Sequence, residues 1–325
     1  MKLHLDEKLF RQAIQFTSDQ MQILPIYVEK DYWVTFALFS IFNDKIGEDT
    51  IFKGGTALSK CYNIIERFSE DIDLVVLRRE GETNNRLTTK IKTIGKVVSS
   101  VLPAIDIEGL THKRGMNRKT AHSYNKEFKG DFGQVRDVIV IEATWLGYFE
   151  PYSKRDICSF VGEMMINNGQ IGIAKENNLM PFGLLALDPT RTICEKIMSL
   201  VRFSYSKKPI EDLKNKIRHV YDLHQLLSKD EFMAFFDSED FEEMLLRVAS
   251  DDLVSFKNSN KWLILHPSDA IIFKELEKVW IELKTSYESE FRNLVYGDLP
   301  TELELFNTLE KIKERLSSIT WTIQS

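Results

Sequence analysis

Two aspartates separated by one residue, Asp71 and Asp73, have the spacing in this 325-residue chain that points most directly to chemistry. Side chains alternate along a strand, so both carboxylates would lie on one face while Ile72 faces the core. Carboxylates this close repel each other unless a cation lies between them, and Mg²⁺ commonly takes one or two carboxylates together with substrate phosphates. The spacing therefore predicts a metal site. The alternative is a pair of exposed aspartates that bind the arginines at 78–79.

A glycine pair precedes the aspartates, at Gly54 and Gly55, and Thr56 follows it directly. Glycines just before a helix let the backbone approach a ligand closely, and the first free N–H groups of that helix point at an anion. The threonine adds a hydroxyl at the same place. This sequence predicts a phosphate cradle, and the alternative is an ordinary tight turn between a strand and a helix.

Glu142 is a lone acid within the apolar stretch "VIVIEATW". A buried, unpaired carboxylate is costly, so this side chain needs a partner. A metal at the edge of the sheet would supply one and would make Glu142 a third metal ligand beside Asp71 and Asp73. A salt bridge to an arginine is the alternative.

The elements that must position these residues are short strands with helices between them. Alternating or continuous apolar residues predict the strands, and apolar residues at helical spacing predict the helices. The predicted strands cover residues 50–55, 71–77 and 137–146, and the helices beside them cover residues 27–43 and 57–68.

The second half of the chain has a different character. Asp188 is a good helix cap with Pro189 at the first helical position, and the pattern after them is helical almost to the end. We therefore predict an α+β chain with two domains. Residues 1–160 form an α/β domain, and residues 161–325 form a mainly helical domain.

The composition is that of an ordinary globular protein, with 43% hydrophobic and 28% charged residues. The net charge of -6 excludes a global basic field of the kind that announces a nucleic-acid-binding protein, although it leaves room for a local basic patch. The three cysteines form no disulfide framework, and neither a signal region nor a membrane span is recognisable, so we expect a cytoplasmic protein without a membrane partner. No metal-ligand spacing connects five of the six histidines, for which core or surface roles are expected: His112, His122, His219, His224 and His266.

The stretch "FKGGTALSKCYNIIERFSEDIDL" resembles the AbiEii/AbiGii toxin family of nucleotidyltransferase-like proteins, and "VEKDYWVTFALFSIF" before it resembles the N-terminal helix of that family. The resemblance implies a polymerase β-like nucleotidyltransferase core, a small mixed sheet with helices, followed by a helical domain. It also implies a Mg²⁺-dependent toxin, with Mn²⁺ as a substitute, that transfers a nucleotide from an NTP. In studied members the acceptor is tRNA, a separate antitoxin protein accompanies the toxin, and the pair serves phage defence.

The family's first motif is present in full. By resemblance, the glycine pair, Thr56, Arg67 and Ser69 bind the nucleotide, and the arginine braces the site carboxylates. The alternative for Ser69 is a turn hydroxyl that bonds its own backbone. The residues that carry this motif are Gly54, Gly55, Arg67, Ser69, Asp71 and Asp73.

Further family motifs are a strand acid, for which Glu142 is the candidate, a helix lysine and a late aspartate. Lys196 projects away from the apolar side of its helix, so a cation there would hold NTP phosphates or would simply be solvated. Asp222 would accept the proton of the attacking hydroxyl or orient Lys196, and its alternative is a pair with Arg218 four residues earlier. The helical domain is thereby expected to contribute a lysine and an aspartate to the cleft.

The basic run over residues 111–136 is the best candidate for contact with an RNA backbone, although a solvated hairpin is as good an explanation. Nothing in the motifs fixes the acceptor. Transfer to a protein or a small molecule, use of the γ-phosphate, and a non-catalytic nucleotide-sensing module stay open as alternatives. The predicted RNA contacts are Lys113, Arg114, Arg118 and Lys119.

Overall fold

A computed structural model describes residues 1–112, 115–130, 135–147, 149–256 and 259–323. The chain divides into two compact units. The sheet unit comprises residues 1–63, 68–145 and 152–187, and the helical unit comprises residues 64–67, 146–151 and 188–325. In the described ranges, no helix combines the length and the apolar character needed to cross a membrane.

The sheet unit is built on seven strands in the spatial order β3-β4-β5-β2-β1-β7-β6. The sheet is mixed, because β1 is parallel to β7 and β2 is parallel to β5, whereas the other neighbours are antiparallel. The predicted domain boundary at residue 160 falls inside this unit, since β7 pairs with β1. The strands are β1 Thr50–Lys53, β2 Ile72–Val76, β3 Ala104–Ile105, β4 Asn117–His122, β5 Ile139–Thr144, β6 Tyr152–Ile157 and β7 Phe182–Leu187.

Helices accompany the sheet, and a mainly helical region follows it, which confirms the predicted fold class. The helices of the sheet unit are α1 Glu7–Met21, α2 Pro25–Phe42, α3 Gly54–Lys60, α4 Asn84–Ser99, α5 Phe160–Asn167 and α6 Ile171–Glu176. The helices of the helical unit are α7 Pro189–Ser204, α8 Pro209–Lys214, α9 Ile217–Leu227, α10 Asp230–Phe236, α11 Glu239–Ser255, α12 Ile271–Lys274, α13 Leu276–Ser286 and α14 Glu302–Ser317.

Helix α3 is shorter than the sequence predicts. The apolar spacing predicts a helix over residues 57–68, but α3 ends at Lys60. The chain adopts the left-handed backbone region at Asn63, where φ is 51°, and a single residue of this kind stops a right-handed helix. Ile64 and Ile65 are buried all the same, so their apolar character reflects burial in the helical unit and not a continuing helix.

Helix α2 lies at the centre of the sheet unit and is buried on nearly every side. Three consecutive charged residues, Glu29, Lys30 and Asp31, are at most 3% exposed. Buried charges are tolerated only when they are paired or hydrogen-bonded, and each of these binds a different segment of the chain. The Glu29 carboxylate accepts from the backbone N–H groups of residues 127 and 128, and the Lys30 ammonium donates to the backbone carbonyls of residues 136 and 138.

Asp31 completes this set with a buried ion pair to Lys60 on α3, 2.5 Å away. The second carboxylate oxygen of Asp31 accepts from the backbone N–H of Phe160, the first residue of α5. Burial acts to lower the pKa of Lys60, but the Asp31 carboxylate outweighs it, so the pKa is raised and the lysine stays charged. One aspartate thus connects α2 to both α3 and α5.

Removal of the Asp31 charge should therefore destabilise the whole sheet unit. Asp31→Asn leaves Lys60 buried without its counter-charge, which typically costs about 3–5 kcal/mol of unfolding free energy. Asp19→Asn on the exposed face of α1 is the matched control and should change stability by less than about 0.5 kcal/mol. Urea unfolding of the full chain, followed by tryptophan fluorescence, measures both. Equal midpoints for the two variants would contradict the central role of the pair.

Candidate functional site

A row of four charged residues crosses four adjacent strands of the sheet. Asp73 on β2 lies opposite Lys53 on β1 and, on its other side, opposite Glu142 on β5. Glu142 in turn lies opposite Lys119 on β4. Directly opposed side chains on one face of a sheet are close enough to interact. Two carboxylates therefore stand side by side at the centre of the row, with one lysine at each end.

The Asp73 carboxylate packs directly against the start of α3. Gly54 has a φ of 79°, in the region that L side chains rarely adopt. A Cβ at this position would overlap the Asp73 Oδ2 atom. The group that approaches the backbone at Gly54 is the carboxylate of the aspartate motif, and the binding of a phosphate at the glycine pair stays a prediction.

The three carboxylates of Asp71, Asp73 and Glu142 are close enough to affect the pKa of Asp73. Burial, with the charges of Asp71 and Glu142, raises the pKa of Asp73 to about 7, against the opposing pull of Lys53 and Lys119. Burial would also raise the pKa of Glu142, but Lys119 and a hydrogen bond from Asn117 bring it below its usual value. A hard cation bound beside Asp73 would reduce the repulsion among these carboxylates and would favour the ionised form of Asp73.

Each of the other two carboxylates has a protein partner. The Asp71 carboxylate lies 3.1 Å from the Arg136 guanidinium and is 37% exposed. The expected alternative, a pair with the arginines at 78–79, is not what the structure has, since Arg79 binds Asp49 and Arg78 lies over an aromatic ring.

The alternative for Glu142 was a salt bridge to an arginine, and the structure gives it other partners. Its carboxylate accepts from the Lys119 ammonium at 3.0 Å and from the Asn117 amide at 2.7 Å. In the part of the chain that the structure describes, no three Asp, Glu, His or Cys side chains already form a metal cage. The oxygen-rich donor set of Asp71, Asp73 and Glu142 fits Mg²⁺ in its chemistry, and their role as metal ligands stays a prediction.

The two hydroxyls expected in the phosphate cradle are brought together. Thr56 Oγ1 lies 3.0 Å from Ser69 Oγ, although thirteen residues separate them in sequence. Thr56 is only 1% exposed, whereas Ser69 is half-buried. Thr56 therefore orients Ser69, and of the two hydroxyls Ser69 is the more open to a ligand.

The helical unit contains a second charged cluster around Asp222 on α9, which is fully buried. The Arg67 Nε and Nη2 atoms donate to the two Asp222 oxygens, each at 2.7 Å. The Lys196 ammonium on α7 donates to Asp222 Oδ2 at 2.6 Å. Arg67 was expected to brace the site carboxylates, and the one that it holds is Asp222, in the helical unit to which Arg67 itself belongs.

Two cations on one carboxylate decide its protonation. Burial would raise the pKa of Asp222, but Arg67 and Lys196 bring it far below the usual range. A carboxylate of this kind is a weak proton acceptor, so of the two predicted roles for Asp222 the geometry favours the orientation of Lys196. Lys196 is 5% exposed, because α7 is buried on nearly all sides, so the alternative of a simply solvated lysine is not what the structure has.

Sequence reasoning missed one member of this cluster, His219. Its Nδ1 atom lies 3.4 Å from the Lys196 ammonium nitrogen. His219 lies three residues before Asp222 on α9, and residues at this spacing share a helix face. That spacing was the available signal, whereas a search for metal-ligand patterns among the histidines could not reveal it.

The predicted RNA contacts are only partly described. Lys113 and Arg114 lie outside the described residues. Lys119 is engaged by Glu142, as above, and Arg118 points to the opposite face of β4, where its Nε atom lies beside Gly95 of α4. The two described residues of the set thus do not share one surface, and their contact with RNA stays a prediction.

The sequence matches the model of a known protein family. The family model described as "Nucleotidyl transferase AbiEii toxin, Type IV TA system" matches residues 37–311. The matched range includes β1 to β7, the charged row and all members of the Asp222 cluster. No curated protein matches the chain.

The close approach of Asp73 to α3 makes Gly54 irreplaceable. Gly54→Ala introduces both a strained φ and an overlap with Asp73 Oδ2, and we expect a loss of roughly 3 kcal/mol of unfolding free energy. Gly81→Ala is the matched control, since Gly81 has a φ of 76° but no atom within 4 Å of the added Cβ, so it should lose only about 1 kcal/mol. Equal losses in urea unfolding would show that Asp73 does not pack against Gly54.

The burial of Asp73 and the repulsion from its acidic neighbours should appear as a dependence of stability on pH. The folded pKa of about 7 is above the unfolded value of about 4, so the folded protein binds the proton more tightly and loses stability as the pH rises through that window. Asp73→Asn removes the charge and should raise the Tm at pH 8 by about 2–4 °C, with a smaller gain at pH 5. Glu48→Gln, an exposed carboxylate of the same unit, is the control. A lower Tm for Asp73→Asn at pH 8 would contradict this account.

Proposed function

Because the chain belongs to the AbiEii nucleotidyl transferase toxin family of type IV toxin–antitoxin systems, we propose that it is a Mg²⁺-dependent enzyme that transfers a nucleotide from an NTP to an RNA, with pyrophosphate release. Mn²⁺ would serve in place of Mg²⁺. The observation that carries the proposal is the central part of the charged row, where Asp73 lies between Gly54 and Glu142 and has a pKa of about 7.

Asp71 and Asp73 are the proposed metal ligands, with Glu142 as the third. When bound, the cation would neutralise phosphate charge and orient the triphosphate for in-line attack. Support comes from the raised pKa of Asp73, since burial and the charges of Asp71 and Glu142 outweigh the opposing pull of Lys53 and Lys119. Glu142 would have to leave Lys119, and Asp71 would have to leave Arg136, for all three carboxylates to act together.

The triphosphate is proposed to bind at the glycine pair. Gly54 and Gly55 open α3 beside Asp73, so a phosphate that shares a cation with this carboxylate has backbone N–H donors within reach. Ser69, oriented by Thr56, would add a hydroxyl donor. In this arrangement the residues would bind and orient the triphosphate, and nucleotidyl transfer requires little more than that from a protein.

Lys196 is the proposed cation for the charge that develops on the phosphates during transfer. Asp222 would hold its ammonium, and Arg67 would hold Asp222, so the nucleotide-binding role expected of Arg67 becomes an indirect one. In the reaction, the acceptor hydroxyl forms a bond to the α-phosphorus and its proton passes to solvent water. The bond from the α-phosphorus to the bridging oxygen breaks, and pyrophosphate leaves with the electron pair.

The RNA acceptor, tRNA in particular, is proposed from family membership and from the basic run over residues 111–136. A cognate antitoxin protein is the proposed partner for the same reason. An RNA acceptor predicts binding that weakens steeply with salt, because each neutralised phosphate releases counterions. A small-molecule acceptor predicts no such dependence.

The proposal is tested by incubation of the purified chain with total tRNA, Mg²⁺ and each of the four α-labelled NTPs in turn. We expect label on RNA with at least one NTP, and at least a 100-fold lower rate for Asp71→Ala/Asp73→Ala. Asp106→Ala/Glu108→Ala provides a control with the same change in charge outside the charged row.

Three outcomes separate the possibilities. Label on RNA that disappears in the aspartate variant supports the proposal and identifies the nucleotide. Label on protein would move the acceptor from RNA to protein. Absence of transfer from every NTP, with folded protein and intact NTP binding, would contradict the proposed activity.

A further inference from the structure

The Lys196 ammonium is held by two acceptors of different kinds. One is Asp222 Oδ2, at 2.6 Å, and the other is His219 Nδ1, at 3.4 Å. The carboxylate cannot rotate to follow the lysine, because Arg67 binds both of its oxygens at 2.7 Å. An ammonium has three N–H donors in a fixed tetrahedral arrangement, so two anchored acceptors determine the direction of the third.

The contact also determines the state of the histidine. A lysine ammonium has no lone pair to offer, so His219 Nδ1 must be the acceptor, and the ring proton must reside on Nε2. The charged groups that face His219 are Lys196, Lys216, Asp222 and Arg67, of which three are cations. Burial together with Lys196 and Lys216 puts the pKa of His219 well below its usual value, so the ring is neutral at physiological pH.

We propose that His219 is a positioning residue that fixes the direction of the Lys196 ammonium, so that the remaining N–H group is aimed at a phosphate oxygen of the substrate. The inference rests on the proposed function, since it gives Lys196 a phosphate to bind. It adds a residue that the family motifs do not assign, and it gives that residue a defined tautomer. Asp222 supplies the negative charge that holds the Lys196 ammonium in place. His219 supplies the second acceptor, which fixes the orientation of the ammonium about its bond to Asp222.

The proposal requires a hydrogen-bond acceptor at the position of His219 Nδ1. Three substitutions distinguish the effect of this acceptor from the effect of the ring's shape. His219→Asn retains an amide oxygen near the position of Nδ1. His219→Gln moves the oxygen toward the position of Nε2, and His219→Phe retains the ring without an acceptor. Tm values for all three identify any variant that fails to fold, and such a variant is left out of the comparison.

The decisive measurement is nucleotide transfer by each folded variant, with kcat and the KM values for NTP and for RNA determined separately. We expect kcat/KM for NTP to fall at least tenfold in His219→Phe and His219→Gln and to stay within threefold of wild type in His219→Asn. The KM for RNA should change less than twofold in all three variants. Wild-type kinetics in a folded His219→Phe would overturn the proposal. So would a loss in His219→Asn as large as that in His219→Phe.

A second readout does not require activity. Ring ¹⁵N NMR of the full chain should find His219 neutral with its proton on Nε2, and Lys196→Met should shift the Nδ1 resonance. A proton on Nδ1 would overturn the inference whether or not transfer occurs. An inactive wild type with the expected tautomer and shift would count against the proposed function while it supports the contact on which this inference stands.

Discussion

The buried ion pair between Asp31 and Lys60 is the interaction on which the sheet unit depends. It joins the central helix α2 to α3, and α3 begins at Gly54, the residue against which the Asp73 carboxylate packs. The neighbouring charge on α2, that of Lys30, binds the backbone at residues 136 and 138, just before β5. The buried charges of Asp31, Lys60 and Lys30 therefore hold in place the elements that carry the charged row.

The two units distribute charge in opposite ways. In the sheet unit, Asp73 is buried beside two other carboxylates, those of Asp71 and Glu142, and burial together with their charge raises its pKa to about 7. In the helical unit, a single carboxylate, that of Asp222, is shared by the cations of Arg67 and Lys196, and a low pKa records the excess of positive charge. A nucleotidyltransferase needs both kinds of site, one for a metal cation and one for phosphate charge. Under the proposed function, each unit would meet one of these needs with its own residues.

Local sequence was sufficient for those features that depend on periodicity and short motifs. The alternation around Asp71 and Asp73, the positions of the main strands and the cap at Asp188 all follow from neighbouring residues. Strand register does not, and for that reason the alternative given for Glu142, a salt bridge to an arginine, differs from the salt bridge to Lys119 that the register produces.

Burial was the other quantity that local sequence could not supply. The apolar pattern of α7 suggested a polar side for Lys196, but that side is covered, and the lysine is buried with Asp222 and His219. The apolar residues after Lys60 suggested a longer α3, although a left-handed Asn63 ends that segment and Ile64 and Ile65 are buried in the helical unit. In both cases contacts between residues far apart in sequence decided the outcome.

Cation binding at the charged row tests the central claim most directly. A titration of the wild-type chain with Mn²⁺ in the presence of a non-hydrolysable NTP analogue, followed by electron paramagnetic resonance of free Mn²⁺, counts the bound ions without any need for turnover. The account predicts at least one ion per chain in the wild type and a loss of at least tenfold in affinity in Asp71→Asn/Asp73→Asn, because both variant side chains lose the charge that attracts the cation. Equal Mn²⁺ affinity in the two proteins would contradict it.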